Sequence, residues 1–220
     1  ADSAAVFGHL KVLQWMAKLN PAVYPSQEGV DLAAGNGHLK VLNWMAKLNP
    51  AVYPSQEGVD RAAGNGKLEV LQWMAKLNPA VYPSQKGVDR AAGSGKLEVL
   101  EWLAKVRGAY PGPLGAYWAA ASSHLYVLKW LEKEGKLCLS QEDADSIAGN
   151  GRLDVLEWLA VTRNLYPGQL GADLAAENGY VEVLKWLGKV REIYPSQRSV
   201  NVAEKKELIE VLKWLRREGK

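Results

Sequence analysis

The chain has 220 residues, of which 48% are apolar, and its 27 basic and 24 acidic side chains give a net charge of +3. This balance is typical of a packed, folded protein, and it argues against the strongly basic stripe with which proteins hold nucleic-acid phosphates. No apolar run approaches the ~18 residues of a membrane helix, and no signal peptide is visible. The single cysteine, Cys138, excludes an intrachain disulfide and favours a reducing compartment.

Tryptophan recurs at one phase through the whole chain, at a constant interval that shortens by a single position after Trp102. Such a period indicates one structural unit copied eight times, in which each copy contacts only its neighbours. Only Trp118 lies outside the series. We predict that the series packs in the core, with a ligand-stacking ladder as the alternative. Its members are Trp15, Trp44, Trp73, Trp102, Trp130, Trp158, Trp186 and Trp214.

The first copy is partial and covers residues 1–20, so the sequence opens inside a repeat. This end lacks a polar cap and has Val6-Phe7 where other copies have Gly-Asn. We expect it to pack against preceding chain or against another subunit. Six copies follow, at about residues 26–49, 55–78, 84–107, 112–136, 140–164 and 168–192.

Each copy predicts a short first helix that begins after a serine N-cap, followed by polar residues that suit the exposed amides. Val59, Ala62 and Ala63 are its expected inward residues in the third copy. Gly-Asn-Gly, at 35–37 and 64–66, ends the helix because glycine accepts a left-handed backbone. The N-cap serines are Ser26, Ser55, Ser84, Ser140 and Ser196.

A second helix is predicted from Lys67 to about Leu77 in the same copy. It is apolar except for one narrow stripe at residues 69, 72 and 76, so adjacent copies must cover it on several sides. Asn78-Pro79 ends it, since proline has no amide to donate. The predicted fold class is therefore all-α: a solenoid of about eight helix-turn-helix repeats with short connectors and essentially no strand, forming one domain over residues 1–220.

The last copy, residues 196–220, has Lys205-Lys206 at the turn and ends on a run of charged residues. This pattern is typical of a polar capping repeat. Cys138 occupies a connector position that is tyrosine in most copies, and we expect it to be a buried small hydrophobe, with a reactive thiol as the alternative.

A series of acidic residues invites a metal or acid–base interpretation. Copies lie ~10 Å apart, whereas carboxylates that share a calcium ion must each come within ~2.6 Å of it. We therefore predict structural hydrogen bonds across the turn for Asp2, Asp31, Asp60, Asp89, Asp145 and Asp173.

The histidines are also spread over distant copies, and we predict turn packing for His9, His38 and His124, with a ligand role towards a bound cofactor as the alternative. No phosphate loop, nucleophile elbow or cysteine pair is present in the sequence. We predict no catalytic residue, no metal site and no cofactor.

The string Ala-Ala-x-x-Gly-[His/Lys]-Leu-[Lys/Glu]-Val-Leu runs from Ala33 to Leu42, and related strings recur at 62–71, 91–100, 148–156 and 175–184. It resembles the core of an ankyrin repeat, in particular the short, tryptophan-containing type. The Thr-Pro-Leu-His of typical ankyrins is replaced by Gly-Val-Asp at 29–31 and 58–60. The unit is also shorter than an ordinary ankyrin repeat. The resemblance implies protein binding on the face of the first helices, with the projecting hairpin cut to a tight loop.

The position after the aspartate series varies between copies and shares one phase, so its residues are expected to line up. The middle copy differs most, because Tyr117 replaces the aspartate, Trp118 follows, and Tyr126 replaces a charged residue. Exposed Trp, Tyr and Arg often anchor interfaces. Drift with local repacking is the alternative. The candidate protein-binding residues are Leu32, Arg61, Arg90, Tyr117, Trp118, Tyr126 and Leu174.

These observations favour a non-enzymatic scaffold that holds a protein partner, for example as a structural or linker subunit of a larger assembly. One alternative is a nucleic-acid-binding solenoid that reads one base per copy, for which the sequence offers neither paired polar readers nor a basic groove. Another is an accessory repeat domain of an enzyme whose catalytic part is absent from this chain. We expect no membrane insertion. We also expect an intracellular, reducing compartment, which includes an organelle because the amino end is expected to be incomplete.

Overall fold

The computed structural model describes residues 1–219, and over that range it contains sixteen α-helices and no β-strand. The helices form eight pairs, which confirms the predicted all-helical repeat fold. The first helices are α1 (Asp2–Val6), α3 (Gln27–Asn36), α5 (Gln56–Gly64), α7 (Gln85–Gly93), α9 (Pro113–Ala121), α11 (Gln141–Gly149), α13 (Gln169–Glu177) and α15 (Gln197–Lys205). The second helices are α2 (Leu10–Met16), α4 (Leu39–Met45), α6 (Leu68–Met74), α8 (Leu97–Arg107), α10 (Leu125–Lys133), α12 (Leu153–Arg163), α14 (Val181–Arg191) and α16 (Ile209–Arg217).

The chain divides into two compact units by its internal contacts. The first unit is Ala1–Trp118 with Trp130–Lys136, and the second is Ala119–Lys129 with the chain from Leu137 onward. In the first unit, α1, α3, α5 and α7 stack in chain order; in the second, α11, α13 and α15 do so. One domain over residues 1–220 stays a prediction, and Lys220, the end of the expected capping copy, lies outside the described residues.

The core of each copy is built from small residues of the first helix and large aliphatic residues of the second. In the third copy, Val59 and the two alanines that follow it are fully buried, as predicted, and so are Leu71 and Met74. The paired alanines allow the helices to approach closely, while the leucine and methionine fill the space between copies. The same positions supply Leu13, Leu42, Met45, Leu100, Leu103, Leu128, Leu131, Leu156 and Leu159 elsewhere.

The helix boundaries confirm the predicted first helix and shorten the predicted second one. All five N-cap serines precede their helices, and Gly37 and Gly66 have φ of 83° and 71°, a left-handed conformation that favours glycine. Helix α6, however, ends at Met74 instead of Leu77. The Met74 carbonyl accepts the amides of Leu77 and Val81, both at 3.2 Å, so the chain tightens and turns away before Pro79.

The tryptophan rings lie at the edge of the core and not in its centre. Trp214 is buried, but Trp15 is 61% exposed and the other six are half-buried. The prediction of a core position is therefore wrong for Trp15, whose ring is not among those covered by a tyrosine in the described residues. The expectation that Cys138 is buried is wrong as well, since its side chain is exposed.

Candidate protein-binding face

The beginning of most first helices is held by an aspartate of the preceding copy. Oδ1 of Asp60 accepts the Ser84 backbone amide at 2.8 Å, and Oδ2 accepts the Ser84 hydroxyl at 2.5 Å. Gln56 donates its side-chain amide to Oδ1 of Asp60 and to the Tyr82 carbonyl, each at 3.0 Å. The structural role predicted for the aspartates is confirmed here, although the partner is the next copy and not the local turn. Equivalent pairs are Asp2–Ser26, Asp31–Ser55 and Asp173–Ser196.

At Asp2 the hydrogen bonds also favour the ionised carboxylate. The Ser26 backbone amide, followed by the Ser26 hydroxyl, lowers the pKa of Asp2 from its usual value. A hydrogen bond donated to a carboxylate stabilises its charged form. The aspartates therefore join adjacent copies, and their carboxylate oxygens accept hydrogen bonds from protein groups.

Glycine in the first helix allows the aspartate to approach. A Cβ on Gly58 would lie 2.7 Å from Oδ1 and 2.9 Å from Cα of Asp31, and one on Gly87 would lie 2.6 Å and 3.0 Å from the same atoms of Asp60. Such contacts are too short for a side chain, so only glycine fits. This close approach explains why Gly-Val-Asp recurs.

A second glycine, at the end of the first helix, positions the candidate binding residues. A Cβ on Gly64 would lie 3.2 Å from Cβ of Arg90, and one on Gly93 would lie 2.7 Å from Cβ of Trp118. The candidate residue of one copy therefore lies over the glycine of the copy before it. Leu32, Arg61, Arg90 and Trp118 form one row on the first unit, which we call the first-helix row, and each is half-buried. Leu174 lies equivalently in the second unit, with its Cβ 2.8 Å from a Cβ built on Gly149.

The two tyrosines of the middle copy lie in different units. Tyr117 is half-buried in the first unit, next to Trp118 in the chain. Tyr126 belongs to the second unit, where it is 48% exposed and its ring centroid lies 5.7 Å from that of His124. Tyr117 thus lies in the same unit as the first-helix row but at the aspartate position, one residue before Trp118, and Tyr126 is an exposed ring of the other unit.

The arginines of the first-helix row take part in a network of ion pairs that sequence reasoning missed. Arg61 donates to Glu28 at 2.8 Å and to Glu57 at 3.3 Å, while Arg90 and Lys86 donate to Glu57 at 2.9 and 3.0 Å. Hydrogen bonds from Arg90 and then Lys86 lower the pKa of Glu57 to about 2. The available signal was the spacing, since Glu57 and Arg61 are four residues apart on one helix. We call these five residues the ion-pair network.

The turn asparagine joins copies as well. Asn65 donates its side-chain amide to the Gly35 carbonyl at 2.9 Å, and Asn36 and Asn178 donate to the carbonyls of Val6 and Gly149. These carbonyls lie at helix ends, where no intrahelical donor remains. His38 hydrogen-bonds with the Val6 carbonyl at 2.8 Å, which confirms its predicted turn role.

Within residues 1–219, no three His, Cys, Asp or Glu side chains cluster closely enough to hold a metal ion. In the same range, every helix is too short or too polar to cross a membrane. No protein-family model matches the chain, and comparison with curated proteins gives no match. The ankyrin resemblance stays a prediction that depends on the sequence pattern.

Proposed function

We propose that this chain is a non-enzymatic scaffold of ankyrin-like repeats that binds a protein partner through the first-helix row and Tyr117. The observation that carries the proposal is the contrast between constant framework and variable row. The aspartate, the two glycines and the serine recur to fix the spacing, while the row carries Leu32, Arg61, Arg90 and Trp118 in turn. A fixed backbone with varying, half-buried side chains at its surface suits recognition of a particular partner.

The chemistry of the row favours a protein over a nucleic acid. Arg61 and Arg90 are both paired with Glu28 or Glu57, so the row presents a balanced charge instead of a basic groove. Trp118 and the neighbouring Tyr117 add aromatic area, which is enriched at protein interfaces. A structural or linker subunit of a larger assembly, in a reducing intracellular compartment, fits this combination.

Partner capture tests the proposal. The full chain, immobilised and cross-linked in extract, yields a partner that mass spectrometry identifies, and the affinity of that purified partner is then measured. We expect Tyr117→Ala/Trp118→Ala to weaken binding at least ten-fold, since aromatic anchors carry much of an interface's energy.

The matched control is Tyr180→Ala, which removes an exposed ring at the start of the second helix α14. Circular dichroism checks that both variants remain folded. Equal affinity of the double variant and the wild type for the same partner would remove the first-helix row as the binding face.

A further inference from the structure

Six copies bury part of their tryptophan under a tyrosine from the connector before it. The two residues always have the same spacing in the sequence, with ring centroids 5.6–6.5 Å apart and ring planes within 16–32° of each other. Offset stacking of this kind is a favourable arrangement for two aromatic rings. The pairs are Tyr24–Trp44, Tyr53–Trp73, Tyr82–Trp102, Tyr110–Trp130, Tyr166–Trp186 and Tyr194–Trp214.

In two of these copies an arginine also lies over the tyrosine ring. The Arg107 guanidinium lies 4.6 Å from the centre of the Tyr82 ring, and that of Arg191 lies 4.7 Å from the Tyr166 ring. Each arginine follows its tyrosine at the same spacing in the sequence. A guanidinium at this distance is attracted to the ring face. The tyrosine therefore interacts with both an indole and a cation.

One copy keeps the indole and the arginine but has no tyrosine. Cys138 stands at the tyrosine position, and Trp158 and Arg163 follow it at the same two spacings as in the copies with a complete set. In the part of the chain that the structure describes, no aromatic ring stacks on Trp158, which is half-buried. Arg163 instead donates Nη2 to the Leu137 carbonyl at 3.3 Å.

The same segment borders a cavity of the size of a ring. Its volume is about 150 Å³, and its lining consists of Leu137, Leu139, Leu159, Arg163 and Leu165. A space of about this volume has room for one aromatic ring, and here it is open to solvent on one side. Cys138 lies between two of these leucines in the chain, and its small side chain is exposed. Trp158 is not part of the lining but directly precedes Leu159 in the chain, and we call Trp158 and the cavity-lining residues the aromatic slot.

We propose that the aromatic slot binds a tyrosine side chain from an extended segment of a partner protein. The partner supplies in trans the ring that six other connectors supply in cis. The choice of tyrosine comes from the molecule itself, because Tyr166 lies against the same pair of residue types, Trp186 and Arg191, in this same unit. The aromatic slot belongs to the second unit and shares no residue and no helix with the first-helix row. This inference therefore goes beyond the proposed function and can fail independently of it.

A peptide copied from the chain's own connector is the probe. The blocked tetrapeptide with the sequence of residues 165–168, Leu-Tyr-Pro-Gly, is titrated into the ¹⁵N-labelled full chain, and the indole N–H signals are followed by NMR. The Trp158 signal is assigned from its loss in Trp158→Phe. We expect it to shift and saturate at millimolar peptide, a range usual for one ring on a small site. The same peptide with alanine for tyrosine should bind at least ten-fold more weakly.

Cys138→Tyr is the decisive variant because it places a ring in the slot, and we expect it to abolish the shift while the other indole signals keep their positions. Cys138→Ser is the matched control and should bind like the wild type. Arg163→Gln gives a second measure, with an expected three- to ten-fold loss of affinity, should the tyrosine variant fold poorly. An unmoved Trp158 signal, an equal response to the alanine peptide, or full binding by Cys138→Tyr or Arg163→Gln would overturn the proposal. Tyr117→Ala/Trp118→Ala should keep the peptide shift, which separates this site from the first-helix row.

Discussion

Two connectors, one leading into Ser84 and the other into Gly112, are each held by an aspartate of the preceding copy. They differ in the number of hydrogen bonds that the connector donates to that aspartate. Asp60 accepts both the amide and the hydroxyl of Ser84, whereas Gly112, which has no hydroxyl, donates its amide to Asp89, at 2.7 Å. The amide bond is nearly the same length in both places. The backbone amide at the start of the helix is therefore the group that the aspartate must hold, and the serine hydroxyl adds to it.

In a third connector, the serine before the first helix is held by an aspartate of its own copy and not by one of the preceding copy. Tyr117 stands at the aspartate position, and Ser140 is capped instead by Asp143, whose Oδ2 accepts the Ser140 amide at 2.8 Å and the hydroxyl at 2.9 Å. Asp143 occupies the position that is glycine in most copies, such as Gly87. Asp143 fits this position because Tyr117 offers no carboxylate that would approach it from the preceding copy, so the departures at 117 and 143 have one explanation. In the last copy Ser199 occupies the same position although Asp173 holds Ser196, so a small side chain is accommodated there.

Gly87→Ala should have the largest effect on stability, at the connector where Asp60 accepts both the amide and the hydroxyl of Ser84. The new Cβ would lie 2.6 Å from Oδ1 and 3.0 Å from Cα of Asp60, so α7 must move away from α5. We expect a loss of about 2–4 kcal/mol in the free energy of unfolding, measured by urea denaturation. Gly112→Ala is the control, because its Cβ meets nothing closer than 3.6 Å and should cost less than about 0.5 kcal/mol. Equal losses in the two variants would contradict the close-approach explanation.

Removing the carboxylate should separate the two kinds of connector directly. Asp60→Ala leaves the amide and hydroxyl of Ser84 without their acceptor and should cost about 2–3 kcal/mol, since each buried group left unsatisfied is unfavourable. Asp89→Ala removes the bond to Gly112 but no hydroxyl bond, and should cost about 1 kcal/mol less. Urea denaturation of both variants gives the difference. If Asp89→Ala costs as much as Asp60→Ala, the hydroxyl contributes nothing.

Gly168→Ser should add a serine hydroxyl to a connector that now donates only its backbone amide to Asp145. Gly168 donates its amide to Asp145 at 2.6 Å, and its φ of −92° and ψ of −157° are an extended conformation that serine adopts without strain. We expect a gain of about 0.5–1 kcal/mol from the added hydroxyl bond. Gly168→Ala, which lacks the hydroxyl, controls for the change in backbone freedom. A gain no larger than that of alanine would show that Asp145 does not use the hydroxyl.

The sequence predicted what depends on local chain geometry and missed what depends on the neighbouring copy. The positions of the N-cap serines and the left-handed Gly37 and Gly66 follow from backbone rules that hold within one copy. The serine hydroxyl caps its own helix only at Ser26 and Ser140; at Ser55, Ser84 and Ser196 it donates to the aspartate of the preceding copy. The exposure of Trp15 does not follow from such rules, because a tryptophan is covered by a tyrosine from the preceding connector. Arg61 was correctly placed in a row, but its pairing with Glu28 joins two different copies and depends on the register between them.

The smallest expected effect concerns the ion-pair network, which occurs around Glu57 in the first unit. The pKa of Glu57, about 2 in the folded chain, is below the usual 4.5, so its ion pairs contribute stability at neutral pH that is lost as the pH falls from about 4.5 towards 2. The side chains are about one-third exposed, and solvent screening limits the effect, so Glu57→Gln should cost no more than about 1 kcal/mol at pH 7 and low salt. Urea denaturation of both proteins between pH 7 and 2 should show the two stabilities converging in acid, and also at pH 7 in about 1 M salt. A difference that persists at pH 2 would mean that Glu57 stabilises the fold by packing and not by its charge.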